Sequence, residues 1–397
     1  MDLTKGQAGR VGWRDLAAEP FRIFFPAAVG VGLAGVGLWP LYALKVTDFY
    51  PGVSHARLMA YGFFGGFIVG FLGTALPRML SSFALTAGEA WVSLGLYLTM
   101  AGAYVRWKIV LGDELFLVWI GFFALGGAVR FWKRKDTPPP GFVLVLLGLL
   151  CAAAGAALAI ADADADEARF AALQHLLSYQ GFVLFPILGV GAFILPRFFG
   201  MPSSHDMAES RRPTAGWLRK AGAALGVAAA ILTSFFIEAA GWHRVGPAVR
   251  FAAVLGYIVV EIPVFRAAAV KNAFSGVLKV AFALLLAGFA GGVVYPGYRV
   301  ALLHLTLVGG FAAVTFAVAT RVMFGHSGNL ALMAKPNRWL WVALGTMWFA
   351  MITRISGDFL PKIRFSHYAY GAVVWIIGAL IWAWKTLGKV TVKDPED

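Results

Sequence analysis

The stretch "LLHLTLVGGFAAVTFAVATRVMFGHSGN", residues 302 to 329, decides the fold. Its apolar run opens with His304 and closes with Arg321, and His326 follows in a Gly-His-Ser-Gly turn. At about 1.5 Å of rise per residue, one continuous helix sets the two imidazoles roughly 33 Å apart, about the thickness of a bilayer's hydrocarbon core. The rings mark opposite edges of one membrane crossing and cannot ligate the same ion.

Composition extends this reading to the whole chain. Of 397 residues, 60% are hydrophobic and 14% charged, with a mean hydropathy of +0.75, more apolar surface than a soluble domain of this length can use. The chain reads as an integral membrane protein, a single polytopic domain over residues 1–397. Its one cysteine, Cys151, lies inside an apolar run, so neither an intramolecular disulfide nor a thiolate cluster can form, and any metal must be held by histidine. The net charge of +14 does not indicate nucleic acid, because the basic residues fall between apolar spans rather than on one face.

Twelve spans are expected, near residues 24–44, 55–77, 88–106, 113–132, 141–161, 171–196, 217–239, 247–266, 276–295, 300–323, 338–356 and 366–386. Short connections make sequence neighbours antiparallel. The polar segment 1–22 lacks the apolar core of a secretory signal. With that segment in the cytoplasm, 23 of the 34 Lys and Arg fall on the inner side, and the acidic stretch "DADADEAR" (162–169) lies outside. Both this segment and the tail 387–397 are therefore expected inside.

This topology sorts the histidines. His55, His175, His304 and His367 begin helices 2, 6, 10 and 12 at the outer face, and His243 lies in the outer loop after helix 7. His205 and His326 are inside. An imidazole at a helix end has two readings, an interfacial ring bonded to a carbonyl or a ligand. A weak repeat bears on the choice: 120 residues separate His55 from His175 and 129 separate His175 from His304. "ALPRM" (75–79) recurs as "ILPRF" (194–198), and helix 10 closes with Thr320-Arg321. Three pseudo-symmetric four-helix units would produce this pattern. Gly62, Gly66 and Gly70 form a stripe that admits either a neighbouring backbone or a flat porphyrin. His175 and Tyr179 share a helix face. Glu238 and Glu261 are read as the carboxylates well inside spans, Glu261 being close enough to Arg266 to pair with it. No phosphate loop, nucleophile elbow or His-Glu-x-x-His motif is present.

Three stretches resemble the NnrS family of bacterial membrane proteins: "PFRIFF" (20–25), "SHARLMAYGFFGGFIVGFLGTALP" (54–77) and the opening stretch, in which His304, Gly309, Thr320, Arg321, Gly325, His326 and Gly328 fall in register. Two departures stand out. The family usually has His-Ala-His-Glu-Met where this chain has His55-Ala56-Arg57-Leu58-Met59, and helix 6 lacks an expected Gly-Gly-Arg. The resemblance implies a haem- and copper-containing membrane protein linked to nitric oxide metabolism or nitrosative-stress resistance. It also implies likeness to the haem–copper oxidase core, in which twelve helices form three arcs of four. The adjacent His-His pair needed for oxygen reduction is missing.

On that resemblance, His55, His175 and His304 are the expected haem or metal contacts, with His367 and His243 next and Tyr179 beside His175. Arg321 and His326 are assigned to a structural or propionate-type polar site at the inner face, where Arg can pair with an anion. Nitric oxide, a small apolar gas, would reach the site through the bilayer. Two other classes stay open: a metal-free transporter or sensor using the same histidines for substrate or pH response, and a purely structural membrane protein.

Overall fold

The computed structural model describes residues 11–163, 169–203, 205, 209–266 and 269–393; most of the acidic stretch after the fifth helix lies outside them. The regular elements described are helices. We label the long ones α1 (Phe21–Ala43), α2 (Gly52–Met79), α3 (Ala87–Val105), α4 (Ile109–Trp132), α5 (Phe142–Ala161), α6 (Ala171–Phe199), α7 (Ala215–Ala239), α8 (Val245–Glu261), α9 (Ala273–Val294), α10 (Pro296–Gly325), α11 (Arg338–Phe359) and α12 (Pro361–Thr391). Among the described residues ten are long and apolar enough to cross a membrane. The two outside that set are α8, with 17 residues, and α3, with 19. About 20 apolar residues are needed to cover the hydrocarbon core; α8 falls short, and α3 is diluted by Glu89, Tyr97 and Tyr104.

Each helix packs on its sequence neighbour, and α12 packs on α1, so the bundle closes into a ring. Inside it α2, α6 and α10 touch one another. The most apolar windows of α2 and α6 are 78% and 83% buried within the protein, against 33% for α4 and 39% for α5, α7, α11 and α12, so the first two are central and the others face lipid. The N–H of Val11 donates to Thr391 O at 3.2 Å, so both described chain ends lie at one end of the bundle, called here the terminal end. The opposite end carries His55, His175, His304 and His367.

The three inner helices share a local deformation. A π-helical turn interrupts α2 at Leu58–Phe64, α6 at Leu177–Gly181 and α10 at Leu305–Ala312. Each begins within three residues of His55, His175 or His304. Each also lies where the preceding helix approaches through a glycine. A Cβ on Gly35 of α1 would lie 2.8 Å from Leu58, and one on Gly155 of α5 or Gly288 of α9 would overlap Ser178 or Thr306. The reverse contacts set Gly62 against Val31, Gly181 against Cys151 and Gly310 against Leu285. Such mutual close approach is how helices gain packing energy where lipid offers no hydrophobic drive.

The glycine stripe on α2 is therefore a packing surface. Cβ atoms on Gly66 and Gly70 would lie 2.8 Å from Ala28 and 2.9 Å from Phe24 of α1, so no porphyrin fits along this face. Gly62→Leu drives a side chain into Val31 and should cost about 1–3 kcal/mol. It should lower the thermal unfolding midpoint in detergent, and adding Val31→Ala should restore part of the loss.

Candidate histidine site at one end of the bundle

Two of the expected ligands are oriented alike. His55 Nδ1 lies 3.0 Å from Gly35 O and His304 Nδ1 lies 2.8 Å from Val300 O. A carbonyl only accepts, so Nδ1 carries the hydrogen in both rings. In the neutral rings Nε2 is then a lone pair, and neither Nε2 has a hydrogen-bond partner among the described residues. Fixing Nδ1–H on a carbonyl is the arrangement that orients an imidazole for ligation through Nε2. The two rings lie within electrostatic reach of each other and of Arg354.

His367, on α12, follows the same logic. Its Nδ1 is 2.8 Å from Ser356 Oγ, whose own hydrogen goes to Thr353 O at 2.8 Å; the serine oxygen therefore accepts and Nε2 is again left open. Arg354 holds Asp358 at 2.7 Å and lies 3.6 Å above the Tyr368 ring, and Trp39 joins Tyr368 to His55 through edge contacts of 4.9 and 5.8 Å.

His175 and His243 fall in a second group. The His175 ring stacks on Tyr179 at 5.3 Å and lies in the field of Arg57 and Arg299. Arg299 Nη1 reaches His243 Nδ1 at 3.4 Å. Two guanidiniums repel a metal cation, and among the described residues no three His, Cys, Asp or Glu side chains are placed to hold one ion. The expectation that His55, His175, His304 and His243 gather around a metal is thus not met by protein donors alone.

Sequence reasoning missed the polar core beside His175. Asp113 is a buried carboxylate within α4, joined by Arg57 through Nε at 2.8 Å and Nη2 at 3.1 Å, with the side chains 2% and 4% exposed. Tyr104 donates to Asp113 at 2.7 Å, and Arg57 also donates to the Tyr179 hydroxyl. Tyr61 and Gln174 meet Ser178 at 2.6 and 3.0 Å. The expected start of the fourth span at residue 113 put this aspartate at the membrane edge; α4 begins at Ile109, a turn earlier. Arg57, which departs from the family pattern, is its partner. Glu238 pairs with Arg250 at 2.5 Å, and Glu261 with His205 at 2.7 Å and Lys220 at 3.7 Å rather than with Arg266.

At the terminal end His326 and Arg321 diverge. His326 Nδ1 meets Glu19 Oε1 at 2.5 Å, Arg78 bonds the same oxygen at 2.7 Å, and Arg22 donates to the carbonyls of His326, Val390 and Val392, each at 2.8 Å. Arg321 lies over Phe198 at 5.2 Å and reaches Met333 Sδ at 3.8 Å, so the two residues do not form one polar site. Burial alone would raise the Glu19 carboxyl, but the hydrogen bond and charge of His326 and the charge of Arg22 outweigh it and hold it at about 2, below the ordinary 4.5.

These features define a polytopic helical membrane protein with three oriented imidazoles at one end. The NnrS protein family matches residues 15–391, and the chain belongs to it. Among curated proteins the chain has no match.

Two outcomes follow. Asp113→Asn strands the Arg57 charge and should destabilise by about 3–5 kcal/mol, whereas Arg57→Met with Asp113→Leu should recover most of it; thermal unfolding in nanodiscs reads both. Because the Glu19 pKa is depressed on folding, its contribution is fully present above pH 4.5 and is lost as pH falls towards 2. That loss is on the order of 2–3 kcal/mol. In Glu19→Gln this acid-labile part of the unfolding profile should be missing.

Proposed function

We propose that the chain is a haem-binding membrane protein of the NnrS type, acting in nitric oxide metabolism or nitrosative-stress resistance. The observation that carries the reading is the pair of imidazoles, His55 and His304, each with Nδ1–H on a main-chain carbonyl and Nε2 open. One or two imidazoles suffice to hold a haem, which when bound would supply affinity for nitric oxide. His55 and His304 would hold the iron, Trp39 and Tyr368 would wall the pocket, and Arg354, shared with Asp358, would offset negative charge on the porphyrin's carboxylates. Among the described residues no three donors are placed to hold copper, which has no part in this proposal.

The same reading includes a pseudo-threefold arrangement of four-helix units. It is supported by the mutual contact of α2, α6 and α10, by a π turn just after the histidine in each, and by the recurring glycine contacts with α1, α5 and α9. π turns inside α-helices often lie at functional sites. The terminal end is taken as cytoplasmic, in a bacterial inner membrane, which sets the histidine pocket on the outer face. Nitric oxide would arrive through the bilayer.

A second reading, a metal-free transporter or sensor, is favoured by one feature, the enclosed Arg57–Asp113 cluster with its tyrosines, a polar site of the type transporters bury between helices. A visible spectrum with metal analysis separates the two. The haem reading expects a Soret band and about one iron per chain, with His55→Ala and His304→Ala each cutting haem content at least several-fold and His175→Ala leaving it near the parent level. A colourless, iron-free preparation from haem-replete cells would overturn it.

A further inference from the structure

Arg78, Arg197 and Arg321 end the three inner helices at the terminal end, yet their partners differ. Arg78 has Glu19 Oε1 at 2.7 Å. Across the bundle Arg22, Arg57, Arg130, Arg250 and Arg354 each meet a carboxylate too, whereas Arg197 and Arg321 meet none among the described residues. Half-buried Arg321 rests on the Phe198 ring at 5.2 Å and reaches Met333 Sδ at 3.8 Å, while Arg197 rests on Phe193 at 4.8 Å. Phe198 directly follows Arg197 in the chain, and the two guanidiniums lie within electrostatic reach of each other.

A phenyl ring has no lone pair and a thioether is a weak acceptor, so the N–H groups of both side chains lack a good acceptor within the protein. Arginine keeps its proton, so the repulsion between two neighbouring guanidiniums is not relieved by titration. A shared oxyanion relieves it and accepts the free N–H groups at the same time. The planar fork of arginine matches the oxygens of a phosphate, and basic pockets between helices at the headgroup level are where a membrane protein meets one. The carboxylates of a haem held at His304 are out of reach: seventeen residues separate Arg321 from that ring, roughly 25 Å along a helix.

We propose that Arg197 and Arg321 form a phosphate-binding site between the terminal ends of α6 and α10, filled by a lipid headgroup or by free phosphate. The full-length protein, delipidated in detergent, is titrated at constant ionic strength with inorganic phosphate in one arm and with dioctanoyl phosphatidylglycerol in the other. Dioctanoylglycerol, the same chains without phosphate, is the control. A ligand that binds only the folded state raises the thermal unfolding midpoint by a few degrees as the site fills. A saturable rise with inorganic phosphate assigns the free ion. A rise with the phospholipid alone, and none with the control, assigns the headgroup. Arg197→Gln and Arg321→Gln should each raise the half-saturating concentration on the order of tenfold or more, the loss of one charge-assisted hydrogen bond. Arg219→Gln, at an exposed position on α7 at the same end, should leave it unchanged. If Arg321→Gln does not fold, Arg197→Gln, whose side chain is exposed, carries the test. No saturable rise in either arm, or an unaltered half-saturation in folded Arg197→Gln, would overturn the proposal.

Discussion

The architecture depends on close helix contact made by glycine. Lipid tails are as apolar as the side chains they touch, so helices in a bilayer gain little from hiding leucine and much from bringing backbones together. Three times in this chain a glycine of an outer helix meets the first turns of an inner one: Gly35 at Leu58, Gly155 at Ser178, Gly288 at Thr306. At each contact the inner helix takes a π turn. The wider turn shifts the register of the side chains beyond it, so the histidine just before it and the apolar residues just after it face directions that one regular helix would not give them. The histidines and the apolar residues between α2, α6 and α10 lie on either side of these turns.

Charge inside the bundle follows a second rule. Burying a guanidinium without its partner is costly, and Arg57, Arg130 and Arg250 each meet a carboxylate across a helix boundary. Arg354 finds its partner one turn further along α11. The pairs therefore report which helices touch. Arg57–Asp113 joins α2 to α4, Glu89–Arg130 joins α3 to α4, and Glu238–Arg250 joins α7 to α8.

Much of the fold was legible because hydropathy is additive along a span: the starts and ends of α1, α2, α6 and α10 fall within a few residues of the expected ones. The glycine stripe on α2 was legible as a packing face because its spacing matches the helix period. Asp113 was not, because the polar run "RWKIVLGDE" resembles a loop when read alone, and only the contact with Arg57 shows that the aspartate is inside. Arg354 and Asp358 carried a signal that went unused, an Arg and an Asp four apart at the end of an apolar run. The π turns leave no such mark, since they arise from main-chain register under pressure from a neighbour. The pairing of His55 with His304 was hidden for the same reason, while His175, equal to them in sequence position, is turned towards Tyr179 and Arg57.

The contact between α1 and α12 has a temporal consequence. Arg22, at the start of α1, is held by carbonyls at positions 326, 390 and 392, so α1 lacks its lasting neighbour until α12 has followed it into the bilayer. Until then one flank of the ring is open to lipid. A ribosome stalled before α12 would leave the seam unclosed.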